Sequence, residues 1–171
     1  MSIILRPYQV DIVNETRVLM QKGHKSILIC SPTGSGKTAL TSMMMLSAAA
    51  KKMPCIFGVH RRELVKQSVM ALDKADVFHG IIAAGFPEDA RAYAQVGSIP
   101  SIGRRIKKVK VPHLMIWDEC HHVAAGTWSK IFNTYPNAYH IGLTATPERL
   151  DGKGLSEWFK VMVKVRLLNG S

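Results

Sequence analysis

Residues 31–38 have the types and spacing of a loop that binds phosphate groups. They read S-P-T-G-S-G-K-T and stand between a short apolar run and a helical pattern, which is the context that such a loop requires. Gly34 and Gly36 let the backbone fold tightly, so that successive amide groups converge on phosphate oxygens. Lys37 can reach the β and γ phosphates of a nucleotide, and the Thr38 hydroxyl can ligate magnesium. The predicted ATP-binding set in this loop is Thr33, Gly34, Ser35, Gly36, Lys37 and Thr38.

Two adjacent acids follow an apolar run farther along the chain. Asp118 and Glu119 come directly after residues 113–117, which read H-L-M-I-W and predict a buried strand. Neighbouring side chains of an extended chain point to opposite sides, so the two carboxylates do different jobs. Asp118 is placed to hold Mg²⁺ together with Thr38, which leaves Glu119 to polarise the attacking water as general base. The catalytic residues predicted from this pattern are Glu119 and Lys37.

Apolar runs of strand length alternate with helical patterns along the chain, and this alternation is typical of an α/β fold with a mostly parallel sheet. Strands are predicted at residues 27–30, 55–59, 81–84, 94–97, 113–117, 139–143 and 161–168. A helix is predicted from Pro7 to about Gly23, where glycine can end it. Neither a repeat nor a linker interrupts the sequence, so we expect residues 1–171 to form a single domain with helices on both faces of the sheet.

Composition and charge restrict the classes of protein to consider. The chain has 171 residues, 47% of them hydrophobic, and a formal net charge of +11, which favours an anionic partner such as nucleic acid. Three widely spaced cysteines argue against a disulfide framework and suit a reducing compartment. The absence of a long apolar run predicts a cytoplasmic protein that does not span a membrane. Cys120, His121, His122 and His113 raise the alternative of a zinc site, but no CxxC or HxxxH pair accompanies them.

Residues 118–121 read D-E-C-H, and this box resembles the second motif of DEAD/DEAH-type helicases of superfamily two. Other stretches are similar to further motifs of that family in the same order: residues 5–9 (L-R-P-Y-Q), 60–64 (H-R-R-E-L), 97–105 (G-S-I-P-S-I-G-R-R) and 143–147 (L-T-A-T-P). Ser31, where the general loop pattern has glycine, is a common variation in helicases. Residues 148–152 (E-R-L-D-G) resemble the branch related to restriction-enzyme and repair motor subunits. The resemblance implies a P-loop, RecA-like fold with ATP and Mg²⁺ as cofactors.

The resemblance also implies roles for residues outside the loop and the acidic box. Gln9, and with it Arg6, would contact adenine, although Gln9 could instead be an exposed polar residue of an amphipathic helix. His121, Thr144, Ala145 and Thr146 would couple the nucleotide site to a nucleic-acid groove. The two threonines could equally satisfy a turn at a strand end, and His122 is interpreted as a surface residue.

Basic residues near two of these motifs predict contacts with a nucleic-acid backbone. The candidate residues are Arg61, Arg62, Ser98, Arg104 and Arg105. Such contacts read phosphates and not base sequence, as a translocating motor requires. Lys107, Lys108 and Lys110 extend the basic run, and a solvated surface explains them equally well.

The leading functional hypothesis is the ATPase lobe of a helicase or translocase that acts on nucleic acid, with DNA as the expected partner. A second hypothesis is a nucleotide-gated module that binds nucleic acid without turning over ATP by itself. A third, a small-molecule kinase, leaves the acidic box and residues 144–146 unexplained. The family's arginine-bearing sixth motif is not found after residue 151, so we expect a second helicase lobe to be absent from these residues and present in the full-length protein.

Overall fold

The computed structural model describes residues 3–105, 107–122, 125–146 and 155–165. Its strands are β1 (Ser26–Cys30), β2 (Cys55–Val59), β3 (His79–Ile82), β4 (Ala94–Ser98), β5 (Leu114–Trp117), β6 (Tyr139–Thr144) and β7 (Val161–Lys164). Its helices are α1 (Pro7–Gln21), α2 (Lys37–Ala50), α3 (Arg62–Lys74), α4 (Ile99–Arg105) and α5 (Ala125–Thr134), with a 3₁₀ turn at Cys120–His122.

The seven strands form one sheet in the order β3-β4-β2-β5-β6-β1-β7, and every pairing is parallel. The prediction of a mostly parallel α/β sheet is therefore confirmed. Parallel strands need crossover connections, and helices provide several of them, as in the passage from β1 through α2 to β2. All carboxyl ends of the strands consequently meet at one edge of the sheet, where ligands bind in open α/β folds.

Alternating side chains of the central strands divide the interior into two layers. Ile27 and Ile29 of β1 belong to one buried cluster with residues of α1 and α2, whereas Leu28 belongs to a second cluster. Met115 and Trp117 of β5 join that second cluster, which Trp128 of α5 completes. Both faces of the sheet are therefore covered by helices, which explains why the central strands read as continuous apolar runs.

Strand boundaries agree closely with the predicted ones at the centre of the sheet and less closely at its edge. The prediction for 55–59 coincides with β2, whereas β3 covers His79–Ile82 and not residues 81–84. The strand predicted at 161–168 is observed as Val161–Lys164, and residues 166–168 lie outside the described residues. Among the helices that the structure describes, none is long and apolar enough to cross a membrane.

Candidate nucleotide-binding site

The loop between β1 and α2 has a backbone that only glycine adopts easily at two places. Gly34 has φ +80° and Gly36 has φ +77°, both in the left-handed region. Gly36 also caps α2, and a Cβ atom there would lie 2.5 Å from Nε2 of Gln9. The loop is tied to the sheet because the Ser31 amide donates to the carbonyl oxygen of Thr144 at 2.9 Å. The predicted loop therefore lies at the carboxyl edge of the sheet, with the start of α2 directly after it.

Gln9 is buried, with 3% of its surface exposed, so the alternative of an exposed polar residue is wrong. Its Nε2 donates to the carbonyl oxygens of Ser35 at 3.0 Å and Gly36 at 3.1 Å, and its Oε1 accepts from the Arg6 amide at 2.8 Å. Gln9 thus joins the start of α1 to the phosphate loop. Its contact with adenine, and that of the exposed Arg6, stay predictions.

Tyr8 is a site residue that the sequence reasoning assigned only to the helix face. Its hydroxyl donates to the carbonyl oxygen of Ser35 at 2.5 Å, beside the bond from Gln9. The hydroxyls of Ser31 and Ser35 also share a short hydrogen bond inside the loop. The available signal was the position of Tyr8 next to Gln9, because adjacent residues at a helix start can reach one loop.

The two acids occupy different positions after the end of β5, because the chain turns at Glu119 and does not continue the extended alternation that was predicted. Glu119 has φ +44°, an uncommon conformation for a residue other than glycine, and its Oε1 lies 2.9 Å from Nζ of Lys37. Asp118 instead donates its amide to the carbonyl oxygen of Gly58 at 2.9 Å, and its Oδ1 accepts from the Glu119 amide at 3.0 Å. The structure therefore brings the loop lysine and the predicted general base into direct contact.

Asp118 and Thr38 line the same cleft of about 130 Å³, together with Lys37. Burial and the neighbouring Glu119 carboxylate raise the pKa of Asp118, so its ionised form is disfavoured in the ligand-free site. A divalent cation would remove this penalty, and carboxylate and hydroxyl oxygens are the ligands that Mg²⁺ prefers. The donor set of this cleft thus fits the predicted magnesium ion.

A zinc site around Cys120 is not supported by the part of the chain that the structure describes. Within it, no group of three or more His, Cys, Asp or Glu side chains is arranged to hold a metal ion. Cys120 is fully buried, and burial raises the pKa of its thiol to about 12, which opposes the thiolate form that zinc requires. His113 lies against the ring of Tyr139.

A chain of polar contacts leads from the acidic pair to the end of β6. Nδ1 of His121 lies 3.5 Å from Oε2 of Glu119 and 3.2 Å from Oγ1 of Thr144. The Thr146 amide donates to that same threonine oxygen at 3.3 Å, and Ala145 lies between the two threonines. The structure thus gathers the four residues predicted to couple the nucleotide site, while the coupling itself stays a prediction.

The residues predicted to contact nucleic acid lie at the start of α3 and just before it, on α4 and at the end of β4. Arg61 and Arg62 are exposed, and a Cβ atom at Gly85 would lie 2.5 Å from Nη2 of Arg62. Arg105 forms an ion pair with the exposed Glu88. Arg104 donates to the Ser101 hydroxyl at 3.5 Å. The buried Ser98 hydroxyl accepts from the Ser101 amide at 3.4 Å. All five residues stay predicted phosphate contacts, and the buried Ser98 hydroxyl also accepts a hydrogen bond at the turn into α4.

Residues 2–149 match the sequence profile of the family described as the res subunit of type III restriction enzymes. The chain belongs to this family. It is 32% identical over 155 residues to the DNA 3'-5' translocase XPB2 of Sulfurisphaera tokodaii, which covers 89% of the chain and 33% of that protein. It is 31% identical over 169 residues to the putative mitochondrial ATP-dependent helicase irc3 of Schizosaccharomyces pombe, covering 91% of the chain and 28% of that protein.

The crystal structure of the UvsW helicase from bacteriophage T4 has the same fold, with a TM-score of 0.76 at 18% identity over 93% of the chain and 59% of that protein. The family, the relatives and this fold together confirm the predicted first lobe of a superfamily-two helicase, in the branch related to restriction and repair motors. The chain spans about a third or less of the length of the two curated relatives.

Proposed function

We propose that this lobe binds MgATP and hydrolyses it as part of a motor that moves along DNA. The contact between Lys37 and Glu119 supports the proposal most directly, because it joins residues 82 positions apart in the sequence at 2.9 Å. Both residues lie at the carboxyl edge of the parallel sheet, where open α/β folds bind ligands. Hydrolysis of a nucleoside triphosphate requires both at the same phosphate.

The proposed chemistry follows from the positions of the loop and the acids. The amides of residues 33–38 and the positive end of α2 receive the phosphate oxygens, and Lys37 neutralises charge on the β and γ phosphates. Magnesium, held by Thr38 and Asp118, would neutralise further charge as the terminal phosphate leaves. When Lys37 turns to the phosphates, Oε1 of Glu119 is released from that ion pair, while Oε2 keeps His121 at 3.5 Å. The released oxygen becomes free to accept a proton from the attacking water.

DNA is the proposed partner, and a second lobe in the full-length protein is the proposed source of the remaining catalytic groups. A net charge of +11 and exposed arginines at Arg61 and Arg62 favour a phosphate backbone. The relative from Sulfurisphaera tokodaii is named as a DNA translocase, and this chain covers only a third of it.

Substitution of the two contacting residues separates nucleotide binding from hydrolysis. Lys37→Ala should weaken MgATP binding by about tenfold or more, because it removes the side-chain charge that faces the phosphates. Glu119→Gln should bind MgATP at least as tightly as the wild type, since it releases Lys37 from its ion pair, yet it should lose hydrolysis. Isothermal titration calorimetry and phosphate release measure the two effects, and an equal loss of affinity in both variants would contradict the assigned roles.

A further inference from the structure

We propose that Tyr8 is a positioning residue of the nucleotide site, whose hydroxyl turns a backbone amide of the phosphate loop toward the phosphate groups. This inference rests on the proposed binding of MgATP and assigns part of that binding to a residue outside the loop. Tyr8 lies in the first turn of α1, and its Oη donates to the carbonyl oxygen of Ser35 at 2.5 Å. The bond joins residues 27 positions apart, so the shape of the loop depends on a helix outside it.

The direction of the Ser35 carbonyl fixes the direction of the next amide. A carbonyl and the amide that follows it belong to one planar unit, and in a trans peptide they point in opposite directions. No cis peptide bond occurs within the described residues, so a Ser35 carbonyl that faces α1 requires a Gly36 amide that faces away from α1. Among those residues the Gly36 amide has no acceptor. It is therefore available to a phosphate oxygen.

This peptide unit needs to be held because glycine lets it turn over. Rotation of the unit changes ψ of Ser35 and φ of Gly36, and glycine adopts φ of either sign at little cost. The observed φ of +77° is thus one of several conformations open to Gly36. Two hydrogen bonds at the Ser35 oxygen select it, one from Tyr8 and one from Nε2 of Gln9 at 3.0 Å. A carbonyl oxygen has two lone pairs, so it can accept both.

The start of α1 fixes the point from which the Tyr8 hydroxyl reaches the loop. Pro7 is the first residue of the helix, and its restricted φ suits that position. Oε1 of Gln9 accepts from the Arg6 amide at 2.8 Å, and the Gln9 amide donates to the Arg6 carbonyl at 2.9 Å. Tyr8 stands between these bonded residues and is half-buried. Its hydroxyl therefore approaches Ser35 from an ordered helix end.

Tyr8→Phe, which keeps the ring and removes only the hydroxyl, tests the proposal with a ligand that has phosphates but no base. Without the hydroxyl, part of the population has the Gly36 amide turned away, and the apparent affinity falls with the fraction that stays competent. We expect binding of MgATP and of magnesium tripolyphosphate to weaken by the same factor, about three- to tenfold, in isothermal titration calorimetry. A loss for MgATP alone would assign Tyr8 to the base or sugar, and unchanged binding of both would show that Tyr8 does not position the loop; either result overturns the proposal.

The ligand-free protein gives a second measurement of the same peptide unit. In NMR spectra of the labelled chain without nucleotide, Tyr8→Phe should move the ¹³C′ signal of Ser35 and the ¹⁵N signal of Gly36, because their shared unit loses a hydrogen bond. A general loss of packing would instead move signals throughout α1. Unmoved signals of Ser35 and Gly36 would overturn the proposal.

Tyr139→Phe is the matched control. The Tyr139 hydroxyl also donates to a backbone carbonyl, that of Met20 at 3.4 Å, but Tyr139 begins β6 and lies at the opposite edge of the sheet from the loop. Both affinities and both loop signals should stay as in the wild type, and equal losses in the two variants would overturn the proposal. Absence of MgATP binding by the wild type would contradict the proposed function itself, whereas wild-type binding that Tyr8→Phe leaves unchanged would contradict the role of Tyr8 alone.

Discussion

The position of Asp118 disfavours its ionised form in the ligand-free protein, which opposes folding and suits the proposed magnesium ion. Its carboxyl group is partly buried next to Glu119, and both features raise its pKa. An ionised carboxylate there costs free energy of folding in the absence of a cation, because the folded protein binds its proton more tightly than the unfolded chain does. Residues of a functional site often have this effect on stability.

Asp118→Asn should therefore stabilise the ligand-free domain while removing its response to magnesium. The amide oxygen of asparagine can still accept from the Glu119 amide, a bond of 3.0 Å in the wild type, so the turn is kept. We expect the free energy of unfolding at neutral pH to rise by roughly 0.5–2 kcal/mol. Denaturant unfolding measures this difference, and differential scanning fluorimetry with ATP should show the lost response to Mg²⁺.

The difference in the free energy of unfolding between the Asp118→Asn variant and the wild type should increase with pH. Above the raised pKa of folded Asp118 the wild type carries the full penalty, and the difference is at its largest. As the pH falls through that pKa towards the ordinary value of 3.8, protonation of Asp118 removes the penalty and the two proteins converge. If the variant is less stable than the wild type, or if the difference in free energy of unfolding grows on acidification, then the ionised Asp118 does not destabilise the folded protein.

At the scale of single residues, sequence predicted the groups of the candidate site better than their contacts. The meeting of Lys37 with Glu119 follows from the rule that parallel strands present their carboxyl ends at one edge. The bond from Tyr8 to the Ser35 carbonyl does not, because it depends on the side-chain rotamer and the approach of α1. The burial of Ser98 could not be predicted from the sequence either, because a serine at the end of an apolar strand is usually exposed.

At the scale of secondary-structure elements, the loop that connects β3 to β4 lies beside Arg62 and Arg105, two of the residues predicted to contact nucleic acid. Gly85 of this loop has φ +82° and would clash with Nη2 of Arg62 if it carried a Cβ atom, and Glu88 pairs with Arg105. An ion pair with an exposed acid is weak and screened by salt, so Arg105 can exchange Glu88 for a phosphate. Both arginines therefore lie next to the same segment, residues 83–93.

Substitutions on these elements should change the salt dependence of DNA binding. Arg62→Ala and Arg105→Ala should each weaken binding for any DNA sequence and reduce the slope of log affinity against log salt by about one. Glu88→Gln should strengthen binding, because it leaves Arg105 without its competing partner. Fluorescence anisotropy at several salt concentrations measures the slopes.

Lys130→Ala provides the control for the DNA-binding variants. Lys130 is an exposed cation of α5 that lies outside the predicted motifs, and its loss should leave both affinity and slope nearly unchanged. If Arg62→Ala and Arg105→Ala behave like Lys130→Ala, or if the losses depend on base sequence, neither arginine contacts a phosphate.

The elements themselves show where sequence patterns lose accuracy. β2 is covered on both faces and was predicted with its observed bounds, because its continuous apolar run ends sharply. β3 is an edge strand with alternating burial, and the prediction placed it two residues late. Its sequence, H-G-I-I, begins with a polar residue and a glycine, so only pairing with β4 reveals its start.

At the scale of the whole molecule, we expect the lobe to supply only part of the positive charge that stabilises the transferred phosphate during hydrolysis. In the described part of the chain, Glu119 pairs with Lys37 and His121 and contacts no arginine. An arginine aimed at the transferred phosphate is typically worth about 10³–10⁵ in rate. We therefore expect this lobe by itself to hydrolyse ATP slowly and to gain little from DNA, and we expect a second lobe to supply the missing charge.

The most direct test of the account is steady-state phosphate release, with and without duplex DNA, by the 171-residue chain and by a protein that joins it to a second helicase lobe. The chain alone should be slow in both conditions, and the joined protein should be fast and stimulated by DNA, with Glu119→Gln inactive in either background. Turnover by the joined protein that ignores DNA would contradict a translocating motor. Robust DNA-stimulated turnover by the 171-residue chain alone would contradict the dependence on a second lobe.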